Sequence, residues 1–356
     1  MWAYAGLHAP KSIIIPHILK VRLPHGPINR NFFPLTRLRR HHQGLDTSSF
    51  FDLPDSKKRE LIKIFSKNLA SQLKKNRIRF VRCWFPWNVF QPRIYPGKEQ
   101  AYRFPLDDFV RILNEDRIEI IAVIGNGYHR FLPEGLDIDR SAVYLSRLSE
   151  SSREIVRHYK GQISVWQLEN EPNWWLMHFA SDWRRGGIWF DRNLSDLVLG
   201  ELHKIVREED PNTPTMINLE ADPPGAFSKL YDNYCDLLGL DFYPNYAHPT
   251  PIRVSEIRKV SEAKRLSGKP IMITETGYPS GPRIFGYNAE NQTQFVKSMC
   301  EEAYSNDDIN GLGMWRLSDG HWLSFPFQEN HFGLVNHRGI PKPAWFEYLD
   351  QSKNKS

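Results

Sequence analysis

A chain of 356 residues with 40% hydrophobic and 25% charged side chains carries enough apolar material for one large core or two smaller domains, and excludes a disordered or fibrous class. Its net charge of +6 resides in residues 1–45, which hold Lys11, Lys20, Arg22, Arg30, Arg37, Arg39 and Arg40 and no acid; the rest balances 40 basic against 41 acidic side chains, so no nucleic-acid partner is expected. Three cysteines (Cys83, Cys235, Cys300) without CxxC spacing argue against a disulfide scaffold, and no apolar run approaches the roughly 20 residues of a membrane span.

In chain order, residues 1–42 read as a basic N-terminal extension rich in Pro, His and Arg, with no clean period. Ser12–Pro16 is too short for a signal-peptide core. That and the odd cysteine count favour a cytoplasmic location over a secreted one. From residue 43 the pattern alternates between strand and helix. Gln43–Asp46 is the first strand expected. Pro54-Asp55 opens a helix in which Leu61, Ile64, Phe65, Leu69 and Leu73 recur at helical spacing. Ile78–Trp84 is a strand, 105–113 a helix with Asp107 and Asp108 in its first turn, and Ile118–Ile124 an apolar strand. A helix through Val143, Leu145, Leu148, Ile155 and Val156 leads to a strand from Ile163 to Asn170.

Residues 173–190 form an irregular loop with Trp174, Trp175, Trp183 and Trp189. Helices follow at 194–209, 254–266 and 289–304, and strands at 215–219, 237–243, 270–276 and 311–317. Gly268 stops the second of these helices. A closing helix starts near Pro343, and residues 352–356 read as a polar tail. Strands that are apolar on both faces suit a parallel sheet covered by helices. Up to eight strand–helix units over residues 43–351 predict a single (β/α)₈ barrel. A doubly wound open sheet is the runner-up, but no G-x-G-x-x-G follows the first clear strand.

Active-site groups of such a barrel sit at the C-terminal ends of its strands. Those ends supply Arg82 and Trp84, Asn126 with His129 just beyond it, Asn170 and Glu171, Tyr243, Glu275, and Trp315. Asn170-Glu171-Pro172 and Thr274-Glu275-Thr276-Gly277 each place a glutamate where the strand breaks. Two such carboxylates, 104 positions apart, suit cleavage of a glycosidic bond: one protonates the leaving oxygen and the other stabilises or attacks the anomeric carbon. Arg82 is expected to pair with Glu275 and keep it ionised, Tyr243 to donate to the same carboxylate, and Asn170 to hold a sugar hydroxyl. Trp315 offers a flat face to a pyranose ring, Trp174 and Trp175 candidate subsites, and Trp87 and Trp322 further walls. Glu169 alternates to the other side of its strand and reads as structural. No HExxH or spaced histidine set is present, so neither a metal nor a cofactor is expected.

These motifs resemble clan A of the glycoside hydrolases, retaining (β/α)₈ enzymes that include family 5. The resemblance spans about 43–350. It implies Glu171 as general acid/base and Glu275 as nucleophile, acting on a β-linked oligo- or polysaccharide of the glucan, mannan or xylan class. His331-Phe-Gly-Leu-Val and Pro341-Lys-Pro343 resemble the closing of the last β/α unit in these enzymes. One departure stands out: where family 5 enzymes carry His two residues before the sixth-strand Tyr, this chain has Asp241. A transglycosylase on the same pair and a non-catalytic carbohydrate-binding barrel are the alternatives.

Overall fold

A computed structural model describes residues 2–5, 54–95, 97–99, 101–125, 132–136, 141–172, 192–221, 232–319 and 327–354. Eight parallel strands close into a barrel in sequence order: β1 (Trp2–Ala5), β2 (Phe80–Trp84), β3 (Glu119–Val123), β4 (Val165–Asn170), β5 (Thr215–Glu220), β6 (Leu237–Phe242), β7 (Ile271–Thr276) and β8 (Ile309–Met314). The helices described around it are α1 (Asp55–Lys75), α2 (Asp107–Glu115), α3 (Ser141–His158), α4 (Arg192–Glu209), α5 (Arg258–Ser267), α6 (Ala289–Ser305) and α7 (Pro343–Asn354). Strands β2 to β7 fall within two residues of their expected bounds, because continuous apolar runs leave little freedom once helices cover the sheet, whereas β8 runs Ile309–Met314 and ends three residues before the expected Leu317.

Two expectations at the chain ends are corrected. The seam is closed by Trp2–Ala5, which pairs with β8 from Trp2↔Gly311 to Ala5↔Met314 and with β2 at Tyr4↔Phe80. The first strand thus comes from the segment read as an irregular extension. A four-residue Trp-Ala-Tyr-Ala run is too short for periodicity to reveal it. The expected strand at 43–46 lies outside the described residues. At the other end, 352–354 continue α7, and Ser352 is buried with its hydroxyl donating to the carbonyls of Asn76 (3.0 Å) and Leu349 (2.8 Å). The residues read as a polar tail therefore include a buried helical anchor.

The helices follow from local chemistry. In α2, Phe109, Val110, Ile112 and Leu113 form the buried face, and each contributes about 1.5–3 kcal/mol of burial. The Asn288 side chain caps α6 by accepting from Asn291 N (2.8 Å), and α5 ends at left-handed Gly268. All three cysteines are buried and free, as small hydrophobes. No described helix is long and apolar enough to cross a membrane.

The loop after β8 is tied down by the closing segment. Leu334 N donates to the Arg316 carbonyl (2.9 Å) and Asp319 N to the Val335 carbonyl (2.8 Å). A Cβ at Gly333 would lie 2.0 Å from Asp319 N, so only glycine permits this approach. Lys342 Nζ donates to Asp319 Oδ1 (2.6 Å), Ser280 Oγ (2.8 Å) and the His331 carbonyl (3.2 Å), which binds the loops after β7 and β8 to the start of α7.

Candidate active site

Three bulges decide what the strand ends present. Between β4 and β5, Gln167 pairs with Met216 but Asn170 pairs with Asn218, three residues against two. Between β6 and β7, Leu240 pairs with Ile273 but Asp241 with Glu275, and a further shift separates Ile273 from Thr276 along β8. A bulge bends its strand and re-aims side chains. Here the first turns Asn170 and Glu171 into the barrel mouth. The second brings Glu275 beside Asp241, so that Thr274 and Glu275 both reach the same group of side chains.

Arg82 organises that group from β2. It is 1% exposed, and its guanidinium uses all three nitrogens. Nη1 donates to Glu275 Oε1 (2.5 Å), Nε to Gln167 Oε1 (2.5 Å), and Nη2 to Asn170 Oδ1. Tyr243 OH donates to the other oxygen of Glu275, Oε2, at 2.9 Å. Glu275 is 5% exposed, and pairing with a cation in such a place favours the carboxylate anion. Asn170 links the two glutamates, because its Nδ2 donates to Glu171 Oε2 at 3.3 Å.

Glu171 itself adopts φ 45°, a left-handed conformation that costs a non-glycine residue on the order of 1–3 kcal/mol. Its backbone N–H is held by Asn218, through the carbonyl (3.0 Å) and Oδ1 (2.9 Å). Burial pushes its pKa well above the usual carboxyl range, and the charges of Asp241, Glu275 and Glu220 push it further. Asp241 sits beneath it, accepting from Asn218 Nδ2 (2.7 Å) and Thr274 Oγ1 (2.9 Å) and hydrogen-bonded to the Glu171 carboxyl. Burial and then the charge of Glu275 raise Asp241 as well. With Arg82, Asn218 and Thr274 all stabilising the Asp241 anion, Glu171 is the member of the pair that keeps the proton.

Glu169 points away from this group. A Cβ on Gly125 would lie 2.5 Å from the Glu169 carboxyl carbon, so the side chain packs against a bare backbone just past β3 and accepts from Asn170 N at 2.8 Å. Trp87 is a correction: it is fully buried, donates to Gln91 Oε1 (2.7 Å) and packs on Tyr144, so it cannot wall a cleft. Its place after a strand suggested a rim, but the helical turn 87–90 folds it into the core. Trp315 is 6% exposed at the end of β8, with its Trp315–Arg316 peptide cis and the Arg316 Cζ 5.6 Å from its ring centroid. Asn126, His129, Trp174, Trp175 and Trp322 lie outside the described residues.

The sequence reading passed over Gln167, Asn218, Thr274, Glu220 and Glu329. Asn218 carries no motif and Thr274 was given no role of its own in the Glu275 motif; Gly239, whose Cβ would lie 2.7 Å from Asn218 Cβ and 2.8 Å from Thr274, makes room for both. Among the described residues no group of acids, histidines or cysteines could hold a metal ion.

Taken together, these groups supply a proton donor, an anion paired with a cation, and aromatic rings at one barrel mouth, which is equipment for acetal chemistry. No protein-family model matches the chain. A β-1,4-xylanase of Dictyoglomus thermophilum is 23% identical over 291 residues, 74% of this chain and 78% of the xylanase. Among solved structures, a GH5_18 protein of Streptomyces cattleya in complex with GlcNAc superposes with a TM-score of 0.65 at 14% identity, covering 86% of this chain and 76% of that one. A GH2 β-galacturonidase of Eisenbergiella tayi bound to galacturonate gives 0.56 at 16% identity, covering 85% of this chain and 48% of that one; the chain spans about half the length of that enzyme. The likeness to glycoside hydrolases thus extends over 74% of the chain in sequence and 86% in fold.

Proposed function

We propose that this barrel of the clan A type is a retaining β-glycoside hydrolase acting by double displacement on β-linked glycosides of the glucan, mannan or xylan class. The observation that carries the reading is the asymmetry between the two carboxyls. Glu275 is bound by a guanidinium and a phenol, whereas Glu171 is raised by burial and three acidic neighbours. Pairs of carboxyls whose surroundings drive their pKa values apart divide into acid and base roles.

In this mechanism a Glu275 oxygen attacks the anomeric carbon while the bond to the leaving oxygen breaks and takes the Glu171 proton. The Glu171 carboxylate then removes a proton from water, whose oxygen displaces Glu275 and regenerates both groups. Asn170 holds a sugar hydroxyl and Trp315 stacks on the ring, with Asn126, His129, Trp174 and Trp175 as further sugar contacts. A panel of aryl β-glycosides and soluble β-glucans, mannans and xylans, with product sizing, tests the reading. Hydrolysis supports it; binding without product release would mark a lectin-like barrel instead. Products larger than the substrate at high acceptor concentration would mark a transglycosylase.

The pair formed by Asp241 and Glu171 gives a pH prediction. Glu171 must be protonated to act as acid, so kcat/KM falls as pH rises through its pKa. After burial, the Asp241 charge is the largest cause that raises this pKa. Asp241→Asn removes the charge while its amide still accepts from Asn218 and donates to the Thr274 hydroxyl. The alkaline limb of the kcat/KM profile is therefore expected to move to lower pH, and to stay above the ordinary carboxyl range because burial persists. A limb that stays in place would contradict the proton-sharing assignment.

A further inference from the structure

A third carboxylate faces the same site. Glu329 lies in the short 3₁₀ turn Phe327–His331 after β8, with its carboxyl close enough to the Tyr246 hydroxyl and the Trp315 side chain for both to favour its charged form. Trp315 has one donor, its indole N–H, so the carboxyl lies on the nitrogen side of the indole ring. Tyr246 packs edge-on against Tyr243 with ring centroids 6.1 Å apart, and Tyr243 holds Glu275. Burial raises the Glu329 pKa and the field of Glu275 adds to this, while Tyr246 and the Arg316 charge oppose it.

Exposure decides what this arrangement can bind. Glu329 is partly exposed, whereas Arg316 is 3% exposed and lies beside the Trp315 ring. Arg316 Nη2 donates to the Glu329 backbone carbonyl (3.1 Å), and its Nε and Nη1 are buried without a protein acceptor. Arg316 is thus the more covered of the two residues and Glu329 the more exposed. Glu171, Glu220, Asp241 and Glu275 add acidic character to the same mouth, where Arg82 pairs with Glu275. A sugar lying against Trp315 meets carboxylate oxygens at its rim, which accept from hydroxyls and repel a uronate.

Building on the hydrolase reading, we propose that Glu329 is a specificity-determining residue: it accepts hydrogen bonds from one or two hydroxyls of the sugar stacked on Trp315, and it selects neutral glycosides against glucuronides and galacturonides. A carboxylate–hydroxyl bond of this kind is charge-assisted, and its loss leaves the hydroxyl desolvated.

The test compares the wild type with Glu329→Gln on the parent aryl β-glycoside that is cleaved, on its 3-, 4- and 6-deoxy analogues, and on the aryl β-glucuronide. Kinetics are paired with calorimetric binding of gluco-, manno- and xylo-oligosaccharides to Glu171→Gln protein with and without the Glu329→Gln change. The expected results are a loss of about 10²-fold in kcat/KM on the parent, a loss of under about threefold on at least one deoxy analogue, and a wild type that prefers the parent to the glucuronide. An equal loss on the parent and every analogue would reduce Glu329 to a structural role, and a wild type preferring the glucuronide would reassign the site to Arg316; either overturns the inference while hydrolysis stands. Sugar binding weakened by Glu329→Gln in a chain that cleaves nothing would keep the inference and remove the hydrolase. Neither binding nor cleavage of any sugar would remove both.

Discussion

Glu275→Gln is expected to lower kcat by about 10⁴-fold or more while the barrel still folds. The magnitude follows from removing a group that forms the covalent intermediate rather than one that merely assists. An amide cannot attack the anomeric carbon, yet its Oε1 can still accept from Arg82, and the Tyr243 hydroxyl can turn to accept from its NH₂. Melting temperature and circular dichroism should therefore stay close to the wild type. Glu275→Ala in the presence of azide adds a sharper readout: the small anion enters the vacated face and should give the α-glycosyl azide from an activated β-substrate. Near-normal kcat in the glutamine variant would remove Glu275 from the role assigned to it.

Arg82→Ala is expected to be the most destabilising single change at the site, by roughly 3–5 kcal/mol. Truncation removes donors to the Glu275 carboxylate and to the amide oxygens of Gln167 and Asn170, in a place where water cannot freely replace them. Arg82→Lys keeps the charge but not the three-pronged geometry and should fall in between. Denaturant midpoints at constant m-value measure both. The double variant Arg82→Ala with Glu275→Gln should cost less than the sum of the singles, because the stranded charge is then gone. A loss below about 1 kcal/mol for Arg82→Ala, or strict additivity in the double variant, would show that the ion pair does not organise the site.

The sequence made the barrel legible because its signals are long and repetitive. Apolar strands such as Leu237–Phe242 and Ile271–Thr276 alternate with amphipathic helices, and proline or glycine marks where each strand breaks. Glu171, Glu275, Arg82 and Tyr243 were readable for a related reason: position at a strand's end is itself a functional signal in this fold. What could not be read depends on register. Nothing local tells whether Thr274 or Glu275 faces the mouth; the bulge at Leu240/Asp241 lets both do so. Asp241 was noticed only as a departure from the family 5 pattern, and its contact with Glu171 joins residues 70 positions apart that no local signal connects. Glu329 sits in a short turn with no period or motif, and gains meaning only beside Trp315 and Tyr246. The first strand was missed because four residues give periodicity nothing to work with, although their pairing with β8 and β2 closes the barrel.

The two-carboxylate account is tested most directly by following the anomeric signals of the first product by proton NMR during hydrolysis of an aryl β-glycoside. Double displacement through Glu275 predicts that the β-anomer appears first and that the α-anomer grows in only by mutarotation. Initial release of the α-anomer would mean a single displacement by water, and the assignment of Glu275 as nucleophile would fall with it.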